Sequence, residues 1–190
     1  MSAPLADPLV EAKQAARKAA FARRRAAHDA DPGTGAGRLS ELLAGHRGMP
    51  VAGYMPIRTE IDPLPAMEEA AAHGPVGVPV IRAAGQPLVF SRWEPGAALV
   101  PGPFGAHVPA EEVLVEPEIL IVPLVAFDAS GGRLGYGGGF YDRTLQGLRA
   151  RRAVLAIGFA YDAQEAEALP LEETDQPLDM IVTESRILSF

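Results

Sequence analysis

The chain has 190 residues, no cysteine and a formal net charge of −7 at pH 7. Without a thiol, the sequence excludes disulfides, thiolate metal sites and cysteine nucleophiles, so any chemistry depends on oxygen and nitrogen groups. The negative net charge argues against general binding of nucleic acid, because phosphates require a basic surface. The length and the 48% hydrophobic content are typical of one globular domain, which we expect to span residues 1–190.

The apolar segments do not predict membrane insertion or secretion. The longest of them, at residues 119–127, is interrupted by Pro123 and is far shorter than the ~20 residues that a membrane helix needs. The first residues lack the apolar block that a secretory signal requires. We therefore expect a cytoplasmic protein.

The N-terminal part of the chain predicts two helices. Asp7 followed by Pro8 is a typical N-cap with proline at the first helical position, and an alanine-rich stretch continues to about His28. A glycine-rich break at residues 31–37 separates this helix from a short predicted helix at residues 39–46.

From residue 49 onward, short apolar runs alternate with helices or loops. We predict helices at residues 63–73 and 140–149, a long ordered loop at 94–109, and strands at 51–55, 76–81, 88–90, 119–125, 154–159 and 180–183. Continuous apolar strands separated by helices are typical of a sheet that is covered on both faces. The predicted fold class is therefore α/β, a three-layer α/β/α sandwich with a mostly parallel sheet.

The most informative segment reads RLGYGGGFYDR and runs from Arg133 to Arg143. Its glycines let backbone N–H groups approach an anion, and we expect Gly138 in particular to need a positive φ. The segment lacks both the ending of a Walker A loop and the last glycine of the dinucleotide fingerprint. The glycines alone also fit an ordinary strand-to-helix turn, but Arg133, Arg143 and Asp142 favour a site for nucleotide phosphate and Mg²⁺.

Two further segments carry candidate residues. Lys13 and Arg17 lie four residues apart on the first predicted helix, with Arg24 two turns further along the same face. They fit a phosphate clamp, a solvated basic face or an RNA-binding helix. Glu60 follows a predicted strand and fits either hydrogen bonding to a polar heterocycle or, with residues 59–62, the cap of the next helix. The four histidines lack metal-ligand spacing, and no nucleophile elbow is present.

Taken in order, these segments resemble the 5-formyltetrahydrofolate cyclo-ligase family, also called methenyltetrahydrofolate synthetase, over nearly the whole chain. The most specific part is IVPLVAFD at residues 121–128, which leads into RLGYGGGFYDR. The K-x-x-x-R of Lys13 and Arg17, the segment at residues 54–60, and the loop at residues 88–105 with its WEPG and Phe104 follow the family's order.

The resemblance implies an ATP- and Mg²⁺-dependent ligase that closes 5-formyltetrahydrofolate to 5,10-methenyltetrahydrofolate. ADP and phosphate would be released, and the reaction would pass through a phosphorylated formyl intermediate. The implied fold is of the sugar-isomerase and CoA-transferase type. The implied partners are the two small-molecule substrates, without nucleic acid or membrane, and the implied state is a monomer.

The resemblance also implies roles for individual residues. Arg133 and Arg143 would act in catalysis as cations on the transferring phosphoryl group, and Asp142 and Asp175 would hold Mg²⁺. The implied folate contacts are Met55, Glu60, Phe104 and Tyr141. The implied ATP contacts are Lys13, Arg17, Arg133, Leu134, Gly135, Tyr136, Gly137, Gly138, Gly139, Phe140, Tyr141 and Asp142.

The chain departs from the family pattern in two places. Some relatives carry a basic residue where this chain has Tyr136 or Gly138, and the sequence AHVP at residues 106–109 replaces the commoner I-x-E-P. The first departure implies that the arginines do more of the phosphate binding here. Two alternative functions stay open. The protein could be a relative of the family that acts on another substrate, or a regulator that binds ATP or folate without turnover.

Overall fold

The computed structural model describes residues 7–190, and the expectation about the first residues of the chain lies largely outside this range. The described α-helices are α1 Pro8–Ala30, α2 Gly37–Ala44, α3 Leu64–Ala71 and α4 Phe140–Arg149. The described strands are β1 Val51–Ala52, β2 Val76–Val80, β3 Val89–Arg92, β4 Leu99–Pro101, β5 His107–Pro109, β6 Ile119–Pro123, β7 Ala126–Phe127, β8 Arg133–Leu134, β9 Leu155–Phe159, β10 Met180–Val182 and β11 Ile187–Ser189.

Seven strands form the central sheet in the order β11-β10-β9-β6-β1-β2-β3. The five inner strands are parallel to their neighbours, whereas β11 and β3 pair antiparallel at the two edges. The longest parallel register joins β6 to β9, from Ile119 opposite Leu155 to Pro123 opposite Phe159. The predicted mostly parallel sheet is confirmed.

The side chains of β6 alternate between the two faces of the sheet, as strand geometry requires. Ile119 and Ile121 pack into the core cluster that contains residues of α2 and α3. Leu120 and Val122 pack into the cluster on the opposite face, which contains Leu145 of α4. Helices therefore cover both faces, and the three-layer α/β/α sandwich is confirmed.

Helix α1 lies beside the carboxyl ends of the strands rather than over a face of the sheet. Asp7 caps it by accepting a hydrogen bond from the backbone N–H of Leu9 at 2.9 Å, and Pro8 occupies the first turn, as predicted. Ala20, which is fully buried, packs against Val125 and Leu134 just beyond β6. This contact places the basic face of α1 next to the glycine-rich segment.

Five short strands of the structure were not predicted. The predicted long loop contains the hairpin β4–β5, the glycine-rich segment is preceded by the hairpin β7–β8, and β11 adds an edge strand. Each of these strands has two or three residues, too few for an alternating pattern to be visible. The predicted first strand ends at Ala52 instead of Met55, because the apolar residues that follow are packed into the core from a loop.

Among the helices of residues 7–190, none is both long enough and apolar enough to cross a membrane.

Two glycine-to-alanine changes should have opposite effects on stability. A Cβ atom at Gly158 in β9 would lie 2.5 Å from Leu178 Cδ1 and 2.9 Å from Leu124 Cδ2, so overpacking should cost about 1–3 kcal/mol. Gly147 lies exposed within α4 with open space around its Cα, so Gly147→Ala should stabilise the protein by about 0.5–1 kcal/mol. Denaturant unfolding of both variants measures the change in the free energy of unfolding. An unchanged free energy of unfolding in Gly158→Ala would contradict the tight packing of β9 on the face of the sheet that α4 covers.

Candidate active site

The candidate site lies at the edge of the sheet where the parallel strands end, which is the usual place for ligands in open α/β sheets. The loop after β1 carries Glu60, and the chain after β6 forms the hairpin β7–β8 and then the glycine-rich segment. Helix α1 borders the same edge. The topology thus brings together three segments that are far apart in the sequence.

Asp128 shapes the hairpin from which the glycine-rich segment begins. Its Oδ1 accepts hydrogen bonds from the backbone N–H groups of Ser130 at 3.0 Å and Gly132 at 3.1 Å and from the Ser130 hydroxyl at 2.6 Å. The side chain is 7% exposed. Asp128 therefore fixes the turn that precedes Arg133, a role that the sequence analysis did not assign to it.

Arg133 is a buried cation that is anchored to Asp142. Its Nη2 donates to Asp142 Oδ1 at 2.6 Å, and the backbone N–H of Gln176 donates to the same oxygen at 2.9 Å. The Nε of Arg133 is buried and has no hydrogen-bond partner among residues 7–190. Charge-assisted bonds of this kind are short and directional, so Arg133 and Asp142 form a rigid ion pair at the start of α4.

The glycine-rich segment turns through left-handed backbone at Gly137, with φ of 101°, and at Gly139, with φ of 65°. The expectation of a positive φ at Gly138 is wrong, because the two neighbouring glycines carry the turn. Gly138 is constrained in another way: a Cβ atom there would lie 2.8 Å from the ring of Phe140. Arg143 closes the turn by donating from Nη2 to the carbonyl of Gly138.

The basic face of α1 contacts this turn, which agrees with the predicted shared face of Lys13 and Arg17. The Nε of Arg17 donates to the carbonyl of Gly135 at 2.8 Å, and its Nη2 would lie 3.3 Å from a Cβ atom at Gly137. Arg17 thus stands beside the backbone that would approach an anion. The solvated face that was left open as an alternative does not describe these side chains.

Lys13 has two carboxylate partners from the end of the chain. Its Nζ lies 2.5 Å from Glu172 Oε1 and 2.8 Å from Asp175 Oδ2. Partial burial lowers the pKa of Lys13, but the hydrogen bonds to Asp175 and Glu172 outweigh burial, so its pKa is raised above the ordinary value. Lys13 is therefore a neutralised cation in this structure.

Glu60 is a buried carboxylate at the other side of the glycine-rich segment, and 5% of it is exposed. Its Oε2 accepts from the backbone N–H of Ile57 at 2.9 Å, and its Oε1 accepts from the hydroxyl of Tyr136 at 2.8 Å. Burial raises the pKa of Glu60 above its ordinary value, although these hydrogen bonds and nearby arginine charges counteract the rise. Asp62, rather than Glu60, accepts from the first turn of α3, at Leu64.

The remaining predicted contact residues lie around Glu60 and the glycine-rich segment in different environments. Tyr141 has a buried hydroxyl without a hydrogen-bond partner among residues 7–190, and burial raises its pKa. Met55 is half-buried against the core. Phe104 is 73% exposed, has a left-handed φ of 59°, and its ring lies 6.2 Å from that of Phe140. Leu134 is buried, and its carbonyl accepts a backbone hydrogen bond within the hairpin.

No group of three or more His, Cys, Asp or Glu residues within residues 7–190 is arranged to hold a metal ion. Asp142 and Asp175 nevertheless fit a Mg²⁺ ion that is shared with phosphate, because such ions need only one or two carboxylates. The N–H of Gln176 bonds Asp142 and so brings the adjacent Asp175 close to it. The hydrogen bonds from the described residues reach Oδ1 of Asp142 and Oδ2 of Asp175, which leaves the second oxygen of each for a ligand.

Sequence reasoning missed two features of the site. The hydroxyl of Tyr136 bonds Glu60, and its ring lies 5.7 Å from that of Phe21, whereas its expected contact with ATP stays a prediction. Glu172, which was not singled out in the sequence, bonds Lys13. An aromatic residue inside a glycine turn was the available signal for the first, whereas no local signal pointed to the second.

The chain is similar to proteins of one known family. A sequence profile of the 5-formyltetrahydrofolate cyclo-ligase family matches residues 10–184. The chain is 40% identical to the Escherichia coli K12 protein named 5-formyltetrahydrofolate cyclo-ligase over 145 residues, which cover 72% of this chain and 79% of that protein. It is 32% identical to the protein of that name from Mycolicibacterium smegmatis over 186 residues, which cover 92% and 94% of the two chains.

A solved structure gives the same result. The structure of the 5,10-methenyltetrahydrofolate synthetase from Aquifex aeolicus superposes with a TM-score of 0.69 at 29% sequence identity, over 93% of this chain and 92% of that one. The profile, the full-length relatives and the shared fold agree with one another and with the resemblance found in the sequence. The chain belongs to the 5-formyltetrahydrofolate cyclo-ligase family.

Proposed function

We propose that this protein is a 5-formyltetrahydrofolate cyclo-ligase, which uses ATP to close 5-formyltetrahydrofolate to 5,10-methenyltetrahydrofolate. The observation that carries the proposal is the 2.8 Å hydrogen bond between the hydroxyl of Tyr136 and Glu60. Tyr136 belongs to the glycine-rich segment, and Glu60 is the candidate carboxylate for a heterocycle. A phosphate site and a heterocycle site therefore share one cleft, as phosphoryl transfer from ATP to a folate requires.

The nucleotide side of the cleft consists of the glycine-rich segment and the cations around it. Backbone N–H groups at the start of α4 and the helix dipole favour a bound phosphate. Arg17 borders the turn from α1, and Arg133 lies behind it with a buried Nε that has no partner among the described residues. Lys13 joins this set once a phosphate replaces its carboxylate partners.

The folate side of the cleft consists of Glu60 and the neighbouring aromatic and apolar side chains. An ionised carboxylate can accept two hydrogen bonds from the amino and ring N–H groups of a pterin. The buried hydroxyl of Tyr141 has no partner among residues 7–190, so a polar atom of the substrate would satisfy it. Met55 and Phe104 provide apolar surface for the ring system, and Phe104 would become covered when folate binds.

The chemistry needs positioning and charge stabilisation more than a protein nucleophile. The N5-formyl oxygen attacks the γ-phosphorus of ATP, and ADP leaves. N10 then attacks the formyl carbon, the carbon–oxygen bond breaks to release phosphate, and N10 loses its proton. Arg133 and Arg143 would neutralise the transferring phosphoryl group, and the fixed distance between N5 and N10 removes an entropic barrier.

Asp142 and Asp175 would hold Mg²⁺ against the phosphates of ATP. When bound, the ion neutralises phosphate charge and orients the γ-phosphoryl group. Asp142 keeps its bond to Arg133 through one oxygen, so the ion pair also orients the carboxylate. We further propose that the enzyme works as a single-domain monomer in the cytoplasm, because one chain provides all the proposed contacts and ATP is available there.

The proposed function predicts that methenyltetrahydrofolate forms only when ATP and a divalent cation are both present. ADP, phosphate and the methenyl product should appear in equal amounts, because one phosphoryl transfer activates one formyl group. Absorbance at the methenyl band, combined with an ADP assay, measures both. Product formation that continues without ATP, or binding of both substrates without turnover, would contradict the proposal, and the second outcome would identify a binding protein.

Glu60→Gln should weaken folate use and leave ATP binding unchanged. A charge-assisted hydrogen bond is worth about 1.5–3 kcal/mol, so the KM for 5-formyltetrahydrofolate should rise ten-fold or more. Glu68→Gln, a change at an exposed glutamate of α3, is the matched control and should behave as wild type. If a folded Glu60→Gln enzyme kept wild-type folate kinetics, Glu60 would be a structural residue of the loop.

Gly137→Ala should lower ATP affinity. Its φ of 101° strains any residue with a Cβ atom by about 1–2 kcal/mol, and the new Cβ would lie 3.3 Å from Arg17 Nη2. Gly85→Ala is the control, because Gly85 has a φ of 76° but open space around it. Melts of the ligand-free proteins should show similar losses of stability in the two variants. ATP titrations should show an affinity loss of about ten-fold in Gly137→Ala only.

A further inference from the structure

Arg24 is a fully buried arginine that makes no ion pair within residues 7–190. Burial of an uncompensated charge is costly, so a buried cation in a folded protein is normally balanced by a nearby anion or by a bound group. The Nη2 of Arg24 is buried without a hydrogen-bond partner among the described residues. No carboxylate among the described residues contacts Arg24 directly, so any balancing charge from these residues acts over a longer distance.

Arg24 contacts both the loop that carries Glu60 and the glycine-rich segment. Its Nε donates to Thr59 Oγ1 at 3.0 Å, next to Glu60 in the chain, and its Nη1 lies 3.4 Å from the carbonyl of Leu124 at the end of β6. The guanidinium carbon lies 5.2 Å from the ring centroid of Phe21 and 5.5 Å from that of Tyr136. Such cation–π contacts are strongest where water is excluded.

Tyr136 connects Arg24 to Glu60. Its ring lies against the guanidinium of Arg24, and its hydroxyl donates to the carboxylate of Glu60 at 2.8 Å. Like Arg24, Glu60 is a buried charged group without an ion pair among residues 7–190. Both of these charged groups thus contact the same tyrosine.

We propose that Arg24 is a positioning residue for folate recognition: its guanidinium holds Tyr136 and Thr59 in place and provides the positive charge that balances the buried carboxylate of Glu60. The inference rests on the proposed function, in which Glu60 binds the folate. Arg24 would not touch the substrate. It would act through Glu60, and its contribution would be visible in the pH dependence of folate binding.

The expected direction follows from the charges around Glu60. Burial raises the pKa of Glu60, whereas the positive charges of Arg24 and Arg58 lower it. Arg58 is exposed, so solvent screens its charge, whereas Arg24 is buried. The charged or titratable groups whose charges couple to Glu60, directly or through Tyr54, are Arg24, Arg58, Tyr54, Tyr136, Tyr141 and Asp62.

Without Arg24, the pKa of Glu60 should rise further, so Glu60 should become protonated at a higher pH. The pKa values of the three tyrosines are raised, so these groups stay neutral at and below neutral pH. Glu60 is the carboxyl group of this set whose raised pKa responds to the charge of Arg24. A protonated Glu60 is a poorer acceptor for the pterin N–H groups, so folate affinity should fall toward acidic pH.

The test measures kcat/KM for 5-formyltetrahydrofolate against pH, because this ratio reports the ionisation of the free enzyme. In Arg24→Met, the acidic limb of the kcat/KM profile should shift to higher pH by about one to two pH units. At the acidic end of the profile, the KM for folate should rise ten-fold or more. Arg24→Lys, which retains the charge, should keep the wild-type acidic limb even where its KM rises. The affinity for ATP should change little in either variant.

Two controls separate positioning from a general structural role. Arg25→Met replaces the exposed neighbouring arginine, and its pH profile should match that of wild type. In a Glu60→Gln background, Arg24→Met should produce no further shift of the acidic limb, because the titrating group is absent. Should Arg24→Met fail to fold, Tyr136→Phe removes the bond to Glu60 Oε1 while the ring stays, and its acidic limb should also move upward.

An unchanged acidic limb in a folded Arg24→Met or Tyr136→Phe enzyme, or a KM increase that is equal at all pH values, overturns the inference. The proposed function would survive this result as long as the wild-type enzyme forms methenyl product in step with ADP. If wild type forms no such product, the proposed function fails first.

Discussion

The site depends on two buried carbonyl groups at the end of the central strand β6. The sheet ladder stops at Pro123, and the carbonyls of Leu124 and Val125 then point into the interior, where an unpaired polar group costs about 1–3 kcal/mol. Gln164, 1% exposed, donates from Nε2 to both carbonyls, at 2.8 and 3.1 Å. Arg24 approaches the first from the other side. This requirement fixes α1 and the segment after β9 against the strand from which the glycine-rich segment begins.

The sequence predicts the sheet and the place of the glycine-rich segment in it well because their signals are local. Apolar runs between turn residues predict the inner strands, and the prediction of α4 matches Phe140–Arg149 because a glycine turn precedes it and an amphipathic pattern continues through it. The carboxyl-end rule for parallel sheets then brings Glu60 and the glycine-rich segment to one edge. The short strands β4, β5, β7, β8 and β11 escape prediction because pairing partners, rather than periodicity, define them.

The pairing of individual side chains within the site is not predictable from the sequence. Tyr136 and Glu60 are 76 residues apart, and Lys13 is 159 residues from Glu172, so no spacing rule connects them. The error at Gly138 has a related cause. A run of three glycines shows that some backbone must be left-handed, but only the geometry of the turn decides that Gly137 and Gly139 have this conformation. Likewise, Arg24 is buried because other segments of the chain pack against α1 around it. The run of basic residues in which it lies does not predict this burial.

In the proposed enzyme, the two carboxylates on Lys13 would make nucleotide entry an exchange of counterions. A phosphate that takes Lys13 releases Glu172 and Asp175, whose negative charges would then face the incoming nucleotide at short range. If Mg²⁺ arrives with the phosphates, the released Asp175 gains a cation as Lys13 gains an anion, and the local charge remains balanced. A nucleotide without Mg²⁺ would be repelled by the same two carboxylates. In the proposed enzyme, this cluster would therefore select the metal complex of ATP at the binding step, before any bond is made or broken.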